Sequence, residues 1–163
     1  MGSSMNGTER SSGGSDSASR SDGNPMPISL TRIVTFRAWH HYRVARWSEA
    51  QNRERFGVLV ESHPHDYRCE VTVRGPLAET TGMVIDLGEL DGIVREEILQ
   101  PLDGQQLNQA VPEVAAGITQ PTCEVLAAHV YARLARRLPS GIVLERVRIA
   151  EDATLHADCT GIP

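Results

Sequence analysis

Residues Tyr67 to Arg74 alternate without a break: Tyr67, Cys69, Val71 and Val73 are apolar, while Arg68, Glu70, Thr72 and Arg74 are polar. A period of two puts one set on each face, so this is a strand with one side on a core and the other facing out. Such a strand needs paired neighbours and a second layer over its apolar face. Gly75-Pro76 ends it. β-Branched residues are dense from Ile28 to Ala38, and Val143, Glu145, Val147 and Ile149 alternate with Leu144, Arg146 and Arg148, which predicts two more strands. Met83-Val84-Ile85, after Thr80-Thr81-Gly82, predicts a further short one. Leu87, Leu90, Ile93, Val94 and Ile98 form a helical stripe that predicts a helix entered at Asp86 or Leu87 and running through Ile98. Thr122 caps a second helix carrying Val125, Leu126, Val130, Leu134 and Leu138, stopped by Pro139-Ser140-Gly141. Arg46 to Arg55 is polar, with helical or loop character, and closes at Phe56-Gly57. The expected order is β-β-(β)-α-α-β, an α+β layer with an antiparallel sheet. Its open edges predict closure by oligomerisation.

Composition limits the folded part. Residues 1–27 are rich in Ser, Gly, Asn and Asp and offer no apolar anchor, which predicts a disordered tail; 28–163, about 135 residues, is one domain. A net charge of -5 and a pI near 5.7 argue against a nucleic-acid partner. The start lacks a secretory apolar core, and no run is long enough to span a membrane. Three cysteines without a CxxC pair predict free thiols and a cytoplasmic location.

The chemistry-bearing residues are histidines. His63 and His65 flank Pro64; on a strand, residues two apart share a face about 7 Å apart, so both imidazoles can reach one ion. His40, at the end of the preceding strand, offers a third nitrogen, with His41 on the opposite face. Spacing alone leaves both a metal centre and ordinary surface histidines open.

Six segments in order narrow that choice. Phe36 to His40, Trp47-Ser48-Glu49 with Asn52 and Phe56-Gly57, and His63-Pro64-His65-Asp66-Tyr67 come first. Gly82 to Asp86 with Leu90, Pro101-Leu102-Asp103 with Leu107-Asn108, and Pro121-Thr122-Cys123-Glu124 follow, with a late strand Val147 to Glu151. Together they resemble the 6-pyruvoyl-tetrahydropterin synthase and 6-carboxy-tetrahydropterin synthase family. The resemblance implies the tunnelling fold: an antiparallel four-stranded sheet with two helices packed on one face, closed into a barrel by trimerisation. Two trimers usually stack into a homohexamer with active sites between subunits. It implies a Zn2+ ion on His40, His63 and His65, acting as a Lewis acid on the side chain of a small heterocyclic substrate. Glu151 would anchor the pterin, with Thr122, Cys123 and Glu124 beside the ring.

The departures are as informative. Such enzymes carry a cysteine base shortly after Phe-Gly, where this chain reads Val58-Leu59-Val60-Glu61-Ser62. They carry a relay histidine after Leu-Asp, where Gly104 follows Asp103, and His-Gly-His is here His-Pro-His. Glu61 is the candidate replacement base, against a solvated loop carboxylate; Asp103 is a second candidate, against a turn or cap. Cys123 is expected to pack beside the ligand, Trp39 to shape the pocket or pack in the core, and His129 and His156 to lie on the surface. The expected activity is a zinc-dependent lyase or cyclase with diverged chemistry in specialised metabolism. Two alternatives are a glutamate-base branch making 6-hydroxymethyl-dihydropterin and a non-catalytic pterin or purine binder.

Overall fold

The computed structural model describes residues 26–161, so the tail expectation for 1–25 lies outside the described residues. Two long strands dominate. β1, Ile28–His40, pairs antiparallel with β2, His63–Gly75, in unbroken register from Ile28↔Gly75 to His40↔His63. β3, Val143–Ala150, adds to β2, with an irregularity at Thr72/Val73, and β4, His156–Cys159, adds to β3. The sheet is four-stranded and antiparallel in the order β1-β2-β3-β4, as expected.

The identity of one strand is corrected. Met83-Val84-Ile85 forms no strand: a turn through Ala78 and Gly82 (φ +67°) precedes it and Asp86 caps a helix directly after it, which leaves no length for a ladder. The run instead delivers Ile85 to the core. The sheet is completed by His156–Cys159, whose single short alternation carries little sequence signal.

Among the described residues three longer helices lie between the strands, with short helical turns at Gly57–Val60, Leu107–Ala110 and Pro112–Ala115. α1, Glu49–Phe56, starts from a reciprocal capping box between Ser48 and Gln51. α2, Leu87–Val94, continues through a π turn, Arg95–Leu99, to Leu102. The π turn falls where Pro101 has no N–H to return to the preceding turn. α3, Cys123–Leu134, ends one turn earlier than Leu138, which still packs against the core. Leu90, Ile98, Leu126, Val130 and Leu134 from α2 and α3 share one buried cluster with Tyr67, Cys69, Val71, Val73, Val147 and Ile149 of the sheet.

On the other sheet face Glu70 and Thr72 are shielded by polar neighbours. Thr31 and Thr72 hydroxyls lie 2.9 Å apart, and Arg68 and Arg146 pair with Glu70. The edge of β1 near its C-terminal end is covered by the segment after α2: Trp39 N–H donates to Gln105 carbonyl at 2.9 Å and Gly104 N–H to Arg37 carbonyl at 2.7 Å. Among the described residues that edge is unpaired from Ile28 to Thr35, and β4 is the opposite edge. This is the unclosed sheet that assembly into a barrel would complete.

Candidate metal centre

The register places the histidines. His40 ends β1 opposite His63, and His65 pairs with Ala38, so all three imidazoles fall on the face that carries Phe36 and Tyr67. Pro64 is tolerated between them because Trp39 N–H points away from β2, to Gln105; Trp39↔Pro64 is therefore a pair that exchanges no ladder bond. The ring centroids are 4.5 Å apart for His40–His63, 4.9 Å for His40–His65 and 5.1 Å for His63–His65. One nitrogen of each ring lies within 4.8 Å of the others.

Two carbonyls decide which nitrogens are free. His40 Nδ1 lies 2.9 Å from the Pro121 carbonyl oxygen and His63 Nδ1 2.8 Å from that of Glu61, so each Nδ1 carries the proton and donates it. Nε2 of both rings is left as a lone pair. His40 is 1% exposed, and among the described residues its Nε2 has no hydrogen-bond partner. A buried acceptor nitrogen left unpaired costs about 1–3 kcal/mol unless a donor or a cation meets its lone pair. Burial first, and then His63 beside it, push the His40 pKa down to about 4, so the ring is neutral at pH 7. Three convergent imidazoles, those of His40 and His63 with tautomers fixed by backbone carbonyls, suit a zinc-like divalent cation, and the residues fit that group.

The heterocycle-binding candidates gather beside the triad. Tyr67 stands 5.6 Å from His65 and 6.4 Å from His40, centroid to centroid. Glu151, just past β3, accepts the Cys123 thiol at 3.7 Å. Burial, with Glu151 next, pushes that thiol up to about 12, which keeps it protonated near neutral pH. Thr122 caps α3 through Val125 N–H at 3.4 Å, and a Thr122 hydrogen bond holds the Glu124 carboxyl below its ordinary range. Tyr42, edge-on to His40 at 5.1 Å, is pushed up to about 12 by burial and then by Glu151, and the same two causes raise Tyr67. Tyr42, Phe56, Leu59, Arg55, Gln120 and Thr122 line a cleft of about 350 Å³.

The two candidate bases are placed differently. The Glu61 carboxylate is 67% exposed and held by Arg53 at 2.6 Å; only its carbonyl reaches the triad, through His63. Asp103 Oδ1 accepts the Arg37 N–H at 2.9 Å, and Gly104 follows at φ +73°. These bonds give Asp103 the turn role and fasten β1 beneath His40. Trp39 faces away from the triad, with the Arg37 guanidinium 5.7 Å from its ring. His129 is corrected: its side chain is 8% exposed, with Nδ1 3.4 Å from Glu113, because it lies on the flank of α3 beneath the 112–120 segment. His156 is exposed, as expected. Sequence reasoning missed Tyr42, which has no local pattern, and the Pro121 carbonyl, for which no side chain speaks.

Comparison with known proteins agrees with this geometry. The sequence model described as 6-pyruvoyl tetrahydropterin synthase matches residues 29–161. The 6-pyruvoyl tetrahydrobiopterin synthase of Poecilia reticulata is 36% identical over 136 residues, covering 80% of this chain and 90% of the relative. The Homo sapiens protein of that name is 33% identical over 131 residues, covering 79% and 88%. The solved 6-pyruvoyl tetrahydropterin synthase of Caenorhabditis elegans superposes with a TM-score of 0.76 at 27% identity, covering 85% of this chain and 98% of that one. A sheet that presents three imidazoles from two paired strands, and a match across the whole described domain, lead to one conclusion: this chain belongs to the 6-pyruvoyl tetrahydropterin synthase family.

Proposed function

We propose that the protein is a zinc-dependent lyase or cyclase acting on the oxygenated side chain of a pterin-like heterocycle, by a variant of the family's chemistry. The observation that carries this reading is the buried His40 Nε2, free of any partner among the described residues and facing two more imidazoles. Zinc, when bound, would supply Lewis-acid polarisation of a side-chain oxygen and acidify the adjacent C–H.

The chain's own residues supply the rest. Glu151 accepts two N–H donors from the aminopyrimidinone edge, a charge-assisted pairing that fixes the ring. Thr122, Cys123 and Glu124, at the start of α3, flank it. Glu61 is the proposed base, and to act it must leave Arg53 and turn toward the side chain. Asp103 is assigned to positioning, because its carboxylate is committed to the Arg37 N–H. The open edges of β1 and β4 support a trimer or hexamer. No described helix is long and apolar enough to cross a membrane.

A second reading is favoured by Glu61 being the carboxylate on the loop that enters His63: a glutamate-base reaction that yields 6-hydroxymethyl-dihydropterin from dihydroneopterin triphosphate. Incubating zinc-loaded protein with dihydroneopterin triphosphate and resolving the products separates the two. A 6-pyruvoyl or other non-cleaved product supports the first, and 6-hydroxymethyl-dihydropterin the second. No turnover by fully loaded protein would leave a pterin-binding homologue without catalysis.

A further inference from the structure

Residues His41 to Val44 leave β1 without regular structure, yet each of their backbone N–H groups is bonded. His41 N–H donates to Asn108 Oδ1 at 3.0 Å, Tyr42 N–H to the Leu59 carbonyl at 2.9 Å, Arg43 N–H to Gln120 Oε1 at 2.9 Å and Val44 N–H to Asn52 Oδ1 at 2.8 Å. The three side-chain amides also donate back. Asn108 Nδ2 reaches the His41 carbonyl at 3.0 Å, Gln120 Nε2 that of Arg43 at 3.0 Å, and Asn52 Nδ2 that of Val44 at 3.2 Å. Each amide thus closes a two-bond ring on one residue, as a neighbouring strand would. They come from three separate parts of the chain: α1, the segment after α2, and the loop before α3. Ordering an irregular residue costs about 1–2 kcal/mol of backbone entropy. A chain that orders four in this way fixes the position of what they carry.

What they carry is Tyr42. Its ring stands edge-on to His40 and 5.7 Å from Phe56, and it lines the cleft with Thr122 and Leu59. Glu151, Cys123 and Glu124 are close enough to bias its ionisation, and no protein hydrogen bond engages its hydroxyl among the described residues. A phenylalanine would pack against His40 and Phe56 equally well, so packing does not account for the hydroxyl.

We propose that Tyr42 is a substrate-binding residue: its hydroxyl hydrogen-bonds a polar atom of the bound heterocycle between the histidine triad and Glu151, and the amide-pinned His41–Val44 segment holds it there. The inference rests on the pterin reading of the site. Tyr42 adjoins His40 on one side and Thr122 of the cleft on the other, so it selects for ligands with a hydrogen-bonding group at that point.

The test is titration of zinc-loaded wild type, Tyr42→Phe and Tyr42→Ala with neopterin, followed by pterin fluorescence, with zinc content measured on each sample. Tyr42→Phe is expected to bind about tenfold more weakly with unchanged zinc, as fits the loss of one hydrogen bond. Tyr42→Ala is expected to bind more weakly again. Equal binding by Tyr42→Phe and wild type would overturn the inference and leave the pterin reading standing. Loss of zinc from Tyr42→Phe would also overturn it, by assigning the tyrosine to support of His40. Wild type that holds zinc but binds no neopterin would remove both the pterin reading and this inference.

Discussion

His40 Nδ1 donates to the Pro121 carbonyl oxygen at 2.9 Å, so a residue of the loop before α3 decides which nitrogen of a β1 histidine is free. The two stand 81 positions apart in the chain and are brought together by the fold alone. Partners of this kind fix ligand orientation, and losing one typically weakens metal affinity about 10- to 100-fold. Pro121→Gly, which loosens that carbonyl, should weaken zinc binding by about tenfold with the far-ultraviolet spectrum unchanged. Competition against a coloured chelator measures it.

Glu61→Gln separates two roles of one residue. Its carbonyl orients His63, and its carboxylate is the proposed base. The substitution keeps the carbonyl, so zinc content should hold while turnover falls about 100- to 10,000-fold. Arg53→Gln, which frees the carboxylate, should leave turnover at or above wild type. Unchanged turnover in Glu61→Gln would take Glu61 out of the mechanism.

Asp103→Ala should cost about 1–2 kcal/mol in denaturant unfolding, because Arg37 N–H loses its acceptor. Gly104→Ala should cost about 1 kcal/mol for a side chain at φ +73°. Asp103→Asn, which keeps an acceptor oxygen, should restore most of the stability. If Asp103→Asn abolished turnover while remaining stable, the positioning role would be wrong.

Alkaline pH should destabilise the fold. Burial pushes Cys69 and Cys123 from about 9 to about 12 and Tyr42 from about 10 to about 12. The folded state holds these protons more tightly than the unfolded chain. The stability they contribute is therefore full below pH 9 and declines as pH rises toward 12. Cys69→Ala should flatten that decline in urea unfolding measured from pH 8 to 11, and an equally steep decline would contradict it. Alkylation of Cys123 at pH 8 should likewise be far slower than that of a free thiol.

Much of the fold was legible because its elements obey single rules. The Tyr67–Arg74 alternation, the Leu90–Ile93–Val94 stripe and the Thr122 cap each settle one element, and all three are found in place. Met83–Ile85 misled because three apolar residues suit a strand or an extended crossing equally, and only the absence of a partner strand separates them. His156–Cys159 went unread because pairing with β3, not its own composition, makes it a strand. Spacing put His63 and His65 on one face but left a metal centre open, and it was the ordered family resemblance that joined His40 to them; the structure adds the His40↔His63 pairing. The backbone carbonyls of Pro121 and Glu61, and the amides that pin His41 to Val44, leave no pattern in sequence because their partners meet only in three dimensions.

Metal analysis tests the central claim most directly. Protein produced with supplementary zinc should carry about one zinc per chain, and His40→Ala, His63→Ala and His65→Ala should each lose most of it while remaining folded. Wild type that neither co-purifies with zinc nor takes it up on reloading, or alanine variants that keep the wild-type content, would contradict the account.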